Sequence, residues 1–277
     1  ISKEKIDLGF RLISETIDYL SKSRKLNKKN ILKNIIPEEN LRLAVCNANI
    51  VIEAVYEDLN LKKDIFKFVE KNISYECILL SNTSTFLPSD ITEDFLYPER
   101  FAISHYYNPP YLLPGLEIVA GEKTSKHIIE FLINFYRSID KKPSLVKKEI
   151  KGFVGNRLQV ALLRESLKLV EEGYATPGDI DEIVKGSFGR RLSAAGPFEL
   201  REIIGLDLGF NITKEIISTL GNSKETSKLI SSKILDGDLG VKTGKGFYQW
   251  TDEKKQNWKK HMLDWLILLE NSDKNSQ

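Results

Sequence analysis

Glycine is the residue this chain of 277 does without for longest. Between Gly9 and Gly115 there is none, so no GxGxxG phosphate-binding turn stands in that stretch, and the later glycines do not form one. Cysteine is scarce as well. Cys46 and Cys77 are the only two; both have apolar neighbours and no CxxC spacing, which excludes a disulfide scaffold and points to a reduced, cytoplasmic protein. There are three histidines, His105, His127 and His261. No two have metal-ligand spacing, so no metal is expected. No GxSxG elbow supports a hydrolase. No apolar run reaches the roughly 18 residues of a membrane span; the most apolar tract, Met262 to Leu269, is interrupted by Asp264. A net charge of +2 provides no broad basic field for nucleic acid or anionic membrane. The basic runs at 24–29 and 141–151 are read as solvated surface.

What is present is ordinary globular material, 41% hydrophobic and 29% charged, enough for one large or two medium domains. Ile6, Phe10, Ile13, Ile17 and Leu20 form one apolar stripe of a helix. A basic loop over Ser21 to Asn30 follows. Asn49 to Val55 reads as a short buried strand, and Asp58 caps a helix that turns Leu61, Ile65, Phe66 and Val69 inward. Tyr75 to Leu80, Phe101 to His105, Leu116 to Ala120 and Ser144 to Lys147 are further strands. Pro88 to Phe95 and the stripe Ile128, Leu132, Phe135 and Ile139 are helices. Strands alternating with helices predict an α/β fold: a Rossmann-like, doubly wound parallel sheet. After Gly152 the strands stop. Val154 to Glu172, a segment starting at Thr176, Pro197 to Ile204, Leu206 to Leu220, Ser223 to Leu235 and a last stripe through Trp258, Met262 and Trp265 all read as helices. The expected division is 1–150 for the sheet domain and 151–277 for an all-α domain.

Ligands of such sheets collect at the carboxyl ends of the strands, where Ser81–Ser84 and His105–Asn108 both fall. His105 follows an apolar strand and can carry a proton near neutral pH. Glu117 opens the next strand, from which its carboxylate can reach one ring nitrogen and fix the tautomer. Ser84 can hold a substrate oxygen. Taken singly, His105 is more readily a satisfied residue at a strand end and Glu117 a surface carboxylate, and Asn108 can be a turn residue; only the ensemble points to chemistry. Asn156 either caps the long helix or turns its amide towards the domain cleft.

The order of SNTS at 81–84, H-x-x-N-P at 105–109, Glu117, GF-x-x-NR at 152–157, GPFEL at 196–200 and KTGKGFY at 242–248 resembles the L-3-hydroxyacyl-CoA dehydrogenase superfamily, over nearly the whole chain to about Trp250. Residues 108–114 and 148–159 look more like the lambda-crystallin, L-gulonate 3-dehydrogenase and carnitine dehydrogenase branch; the end looks more like the short-chain 3-hydroxybutyryl-CoA branch. The resemblance implies an NAD-dependent dehydrogenase of a 3-hydroxyacyl-CoA or a free 3-hydroxy acid. His105 is then the acid/base and Glu117 its orienting partner, with Ser84 and Asn156 on the reacting oxygen. Ala54, Glu57, Lys62, Ser84, Asn108 and Lys242 match positions beside NAD. Lys3, Lys5, Lys22, Arg24, Lys25, Lys28 and Lys29 are candidates for the phosphates of CoA, and equally a solvated basic face. The family opens with a strand, a glycine-rich turn, a helix and a second strand ending in an acid. Ile1 matches the point just after that acid, which implies that about 30 residues, one βαβ unit, precede it. The helical part implies a homodimer, with apolar candidates around Leu192 to Leu206 and in the last helix. Two other readings stand beside this one: a non-catalytic relative of the crystallin kind, and a 2-hydroxy-acid or 6-phosphogluconate-type enzyme, which would use lysine in place of His105.

Overall fold

A computed structural model describes residues 2–275 of the chain, with the side chain of Asn275 left aside. The chain forms two compact units. One holds the residues to Val154 and takes up the chain again from Leu263; the other is Gly155–Met262. The expected all-α domain of 151–277 thus differs from this grouping at both ends.

In the first unit, helices α1 (Lys3–Leu20), α2 (Lys28–Lys33) and α3 (Leu41–Val45) precede strand β1 (Ile50–Glu53). Then come α4 (Leu59–Glu70), β2 (Ile78–Ser81), α5 (Pro88–Ile91), β3 (Phe101–Tyr106), β4 (Gly115–Ala120), α6 (Lys126–Ser138) and β5 (Lys142–Val146). The Asp58 side chain accepts from Leu61 N–H and so caps α4 as expected. The basic loop after α1 contains a turn of helix not foreseen: Asn27 caps α2 through Asn30 N–H, and Asn40 caps α3. α5 ends at Ile91 rather than Phe95.

The strands lie in the order β1-β2-β3-β4-β5. β1, β2 and β3 are parallel, and β4 and β5 are parallel to each other, but β3 and β4 are antiparallel. The expected parallel sheet is therefore parallel-dominated and mixed. The reason is the connection 107–114. It carries Pro109, Pro110 and Pro114 and is shorter than the dozen or so residues a parallel crossover needs. The chain can only fold straight back. β1, expected to be buried, is an edge strand among the described residues and leaves Ile52 exposed.

Alternate side chains of the strands feed two cores. On one face Leu79, Phe101, Ile103 and Val119 pack with Phe66 and Val69 of α4, Ile91 of α5 and Phe153. On the other, Ile78, Leu80, Ala102, Leu116 and Ile118 pack with Leu132 and Tyr136 of α6. Each fully buried side chain of this size is worth about 1.5–3 kcal/mol, so helices on both faces are what make the continuous apolar runs of β2 and β3 stable in water.

The end of the last helix also belongs to this unit. Tyr19 donates to Asp264 at 2.8 Å, Arg24 Nε to Glu270 at 3.1 Å and Lys142 to Asp273 at 2.7 Å.

The second unit is helical: α7 (Gly155–Glu171), α8 (Pro177–Gly186), α9 (Phe188–Leu192), α10 (Pro197–Ile204), α11 (Leu206–Ile216), α12 (Lys228–Leu235) and the start of α13 (Asp252–Asn275). Thr176 and Asp179 form a reciprocal cap at the head of α8. α12 starts at Lys228, later than expected, because Ser227 caps it. In the turn before α13, Gly244 has φ +83°, and a Cβ on Gly246 would lie 2.8 Å from Gly240 Cα. Those glycines of the KTGKGFY motif are therefore required by the backbone.

Candidate active site

Antiparallel pairing puts His105 directly opposite Glu117. That is the physical content of their spacing: strand alternation turns both towards the face that carries Ile103 and Val119. His105 Nδ1 lies 3.0 Å from Glu117 Oε2, and both side chains are buried. A carboxylate offers only acceptors, so Nδ1 carries the hydrogen and Nε2 is left as the reactive nitrogen. Nε2 lies 3.2 Å from Ser84 Oγ, and Ser84 is exposed.

Two further donors converge on Glu117. Tyr107 Oη donates to Oε2 at 2.7 Å, and Val154 N–H to Oε1 at 2.9 Å. Burial, then the hydrogen bond to Glu117, pushes the Tyr107 phenol far above its ordinary range, so it remains a donor. The rings of Tyr107 and Phe153 pack edge-on against the imidazole, at 5.0 and 5.4 Å between centroids. Gly152 and Phe153 both have positive φ, +75° and +50°. For a phenylalanine this is an unfavoured backbone, and it belongs to the turn whose next amide reaches Glu117.

The turn that bears Ser84 is held from β1 and β3. Asn82 N–H donates to Glu53 O at 2.8 Å, and its Oδ1 accepts from Tyr106 N–H at 3.0 Å. Glu57 Oε1 accepts from Ser84 N–H at 3.0 Å, Thr85 N–H at 3.1 Å and the Thr83 and Thr85 hydroxyls. Burial opposes the charge on Glu57, but the bonds from Thr83, Thr85, the Ser84 amide and Lys62 outweigh it and hold its carboxyl below the usual range.

Ala54 and Glu57 follow β1, Ser84 follows β2 and Asn108 follows β3, so these residues share the carboxyl end of the parallel strands, and all are exposed. That is where an open α/β sheet receives a dinucleotide, and the residues present fit NAD there. Lys62 departs from expectation. It is buried, with Nζ 2.8 Å from Glu53 and 3.2 Å from Glu57, and so braces the loop rather than facing a ligand. Asn156 stands in the first turn of α7, and Lys242 is exposed in the turn before α13; both lie in the second unit. Tyr107, Phe153, Val154 and Glu53 were not singled out from the sequence. Only the nearness of Tyr107 to His105 could have drawn attention to one of them. Among the described residues no three His, Cys, Asp or Glu form a metal-binding group, and no helix is long and apolar enough to cross a membrane.

Residues 1–150 match the family model of the 3-hydroxyacyl-CoA dehydrogenase NAD binding domain, and residues 152–250 match that of the C-terminal domain. The chain belongs to the 3-hydroxyacyl-CoA dehydrogenase family. It is an NAD-dependent oxidoreductase of that family. It is 34% identical to a 5-formyl-3-hydroxy-2-methylpyridine 4-carboxylate 5-dehydrogenase of Mesorhizobium japonicum, over 76% of this chain and 68% of that one. It is 31% identical to a probable 3-hydroxyacyl-CoA dehydrogenase of Caenorhabditis elegans, over 90% and 86%. It is 39% identical to an L-carnitine dehydrogenase of Pseudomonas putida, over 60% of this chain and 51% of that enzyme. A crystal structure of a 5-formyl-3-hydroxy-2-methylpyridine 4-carboxylic acid 5-dehydrogenase superposes with a TM-score of 0.82 at 31% identity, covering 84% of this chain and 75% of that one.

Proposed function

We propose that this dehydrogenase interconverts a short-chain 3-hydroxyacyl-CoA, of the 3-hydroxybutyryl-CoA kind, and the 3-oxo thioester. The observation that carries the chemistry is the line Ser84 Oγ, His105 Nε2, His105 Nδ1, Glu117 Oε2, with steps of 3.2 and 3.0 Å. In oxidation, Nε2 of neutral His105 accepts the proton of the substrate hydroxyl; in reduction, the imidazolium returns it from the same atom. Glu117 keeps the hydrogen on Nδ1 and stabilises the imidazolium. Ser84 Oγ holds the reacting oxygen as charge develops on it. Bound NAD supplies the hydride acceptor. Ala54, Glu57, Ser84 and Asn108 are the residues that would hold it, with Lys62 acting through Glu57.

A second reading, a free 3-hydroxy acid of the L-gulonate or carnitine kind, is favoured by one observation. Arg24 is engaged by Glu270 and by Tyr111 O, and Lys28 by Asp18. Two of the cations suited to the phosphates of CoA already have partners. The relatives named for a pyridine carboxylate and for carnitine are not named for a CoA thioester. The discriminating measurement is NADH oxidation by the protein with acetoacetyl-CoA and with free 3-oxo acids. A higher kcat/KM for the thioester supports the first reading, and a higher value for the free acids replaces it. Tight NADH binding without turnover on either replaces both with a non-catalytic relative.

The second unit leaves Phe198, Ile203, Leu206 and Phe210 exposed. A second copy of the chain covering them, in a homodimer, belongs to the same proposal. Sedimentation of the protein and of Phe198→Glu tests it, and identical profiles would discard it. A cytoplasmic location agrees with unpaired Cys46 and Cys77; cell fractionation checks it.

A further inference from the structure

Glu117 Oε2 is shared. The imidazole Nδ1–H reaches it from one strand at 3.0 Å, and the Tyr107 hydroxyl reaches the same atom from the following loop at 2.7 Å. The phenol is the closer donor. Its ring lies against the imidazole at 5.0 Å and 63°, so hydroxyl and ring act on the same pair from one side. Two donors on one oxygen compete for its electron density, and each weakens the hold of the other. The groups facing His105 within this unit can be named element by element. β4 supplies Glu117, the loop after β3 supplies Tyr107, and the turn after β2 supplies Ser84. The turn before α7 supplies the Phe153 ring and, through Glu117, the Val154 amide. Of these side chains only Glu117 is charged.

We propose that Tyr107 is a positioning residue for the proton transfer. Its hydroxyl withdraws part of the Glu117 charge from His105 and so lowers the pH above which Nε2 is ready to accept a proton. This rests on His105 being the proton carrier. Tyr107→Phe removes the hydroxyl and keeps the ring. With less competition for Oε2, the carboxylate favours the imidazolium more strongly, so the protonation midpoint of His105 should rise by about 0.5–1 pH unit, the size expected for one hydrogen bond.

The test reads that midpoint twice. In the first arm, NMR follows the histidine signals of the substrate-free protein against pH. There are only three histidines, and His105→Gln identifies the signal of His105. This arm needs no turnover, so it stands even if the proposed substrate is wrong. In the second arm, the acid limb of the kcat/KM profile for alcohol oxidation is compared between wild type and Tyr107→Phe. An upward shift in both supports the proposal. An unmoved or lowered NMR midpoint overturns it. A raised NMR midpoint with an unmoved acid limb also overturns it, because the hydroxyl would then act on a histidine that does not limit the reaction. Lower thermal stability with both midpoints unchanged assigns Tyr107 to packing alone and overturns it as well.

Discussion

Two polar clusters share one face of the sheet and are finished in opposite ways. At β1 and β2, Glu53, Lys62, Ser81 and Thr83 are all buried. Lys62 bridges Glu53 and Glu57, and Ser81 Oγ donates to Glu53 at 2.6 Å. The cluster closes on itself and on the loop it braces. At β3 and β4, His105 and Glu117 are buried to the same degree, but the line runs outward to Ser84, an exposed residue. A buried charged pair is therefore no mark of chemistry by itself. What distinguishes the second cluster is a ring nitrogen directed at an exposed residue. Glu57 joins the two, since the carboxylate held by Lys62 also receives the Ser84 amide.

Substitutions can break this contrast. The largest effect is expected for His105→Gln, which should lower turnover by about 10²–10⁴-fold and leave the fold and NADH affinity unchanged. Steady-state rates beside an NADH fluorescence titration measure this; turnover near that of wild type would remove His105 from the proton step. Lys62→Met should do the reverse. It strands Glu53 in the core, and loss of one partner of a buried pair costs about 3–5 kcal/mol, read from urea unfolding. A neutral result would mean that the closed cluster is not structural. Glu57→Gln should be milder and pH-dependent. The Glu57 carboxyl is held below its ordinary value of 4.5, so its contribution is present above that value and is lost as pH falls through the lower folded-state value. The variant should show a flatter loss of thermal stability as pH falls below about 5. Equal slopes would place the anchoring of the Ser84 loop elsewhere.

The helices were largely legible in the sequence because burial of one stripe imposes a period that survives in the residues: Phe66 and Val69 in α4 and Leu132 in α6 are buried as their spacing implies, whereas Leu61 and Ile139, at the ends of the two stripes, are exposed. Caps such as Asp58 and Thr176 were legible because their partners lie within one turn. The short α2 and α3 were missed because six and five residues are too few to repeat an apolar stripe; no residue of α2 is buried, and in α3 only Val45 is. In the site, His105, Glu117 and Ser84 were named from their places at strand ends, and the structure sets them in line. Lys62 could not be read correctly, because a lysine on a helix looks the same whether solvent or two carboxylates await it.

The sequence alone determined the alternation of apolar strands and helices, the apolar cores of α4 and α6, and the ordered motifs that tie the chain to its family. Only the tertiary structure decided that β4 runs against β3. Local periodicity has no direction, whereas a short proline-rich connection between two paired strands admits one. From that single reversal follows the registry of His105 with Glu117. The convergence of Tyr107 and Val154 on the same carboxylate likewise comes from residues far apart in the chain, brought together by strand pairing and by the positive-φ turn at Gly152 and Phe153.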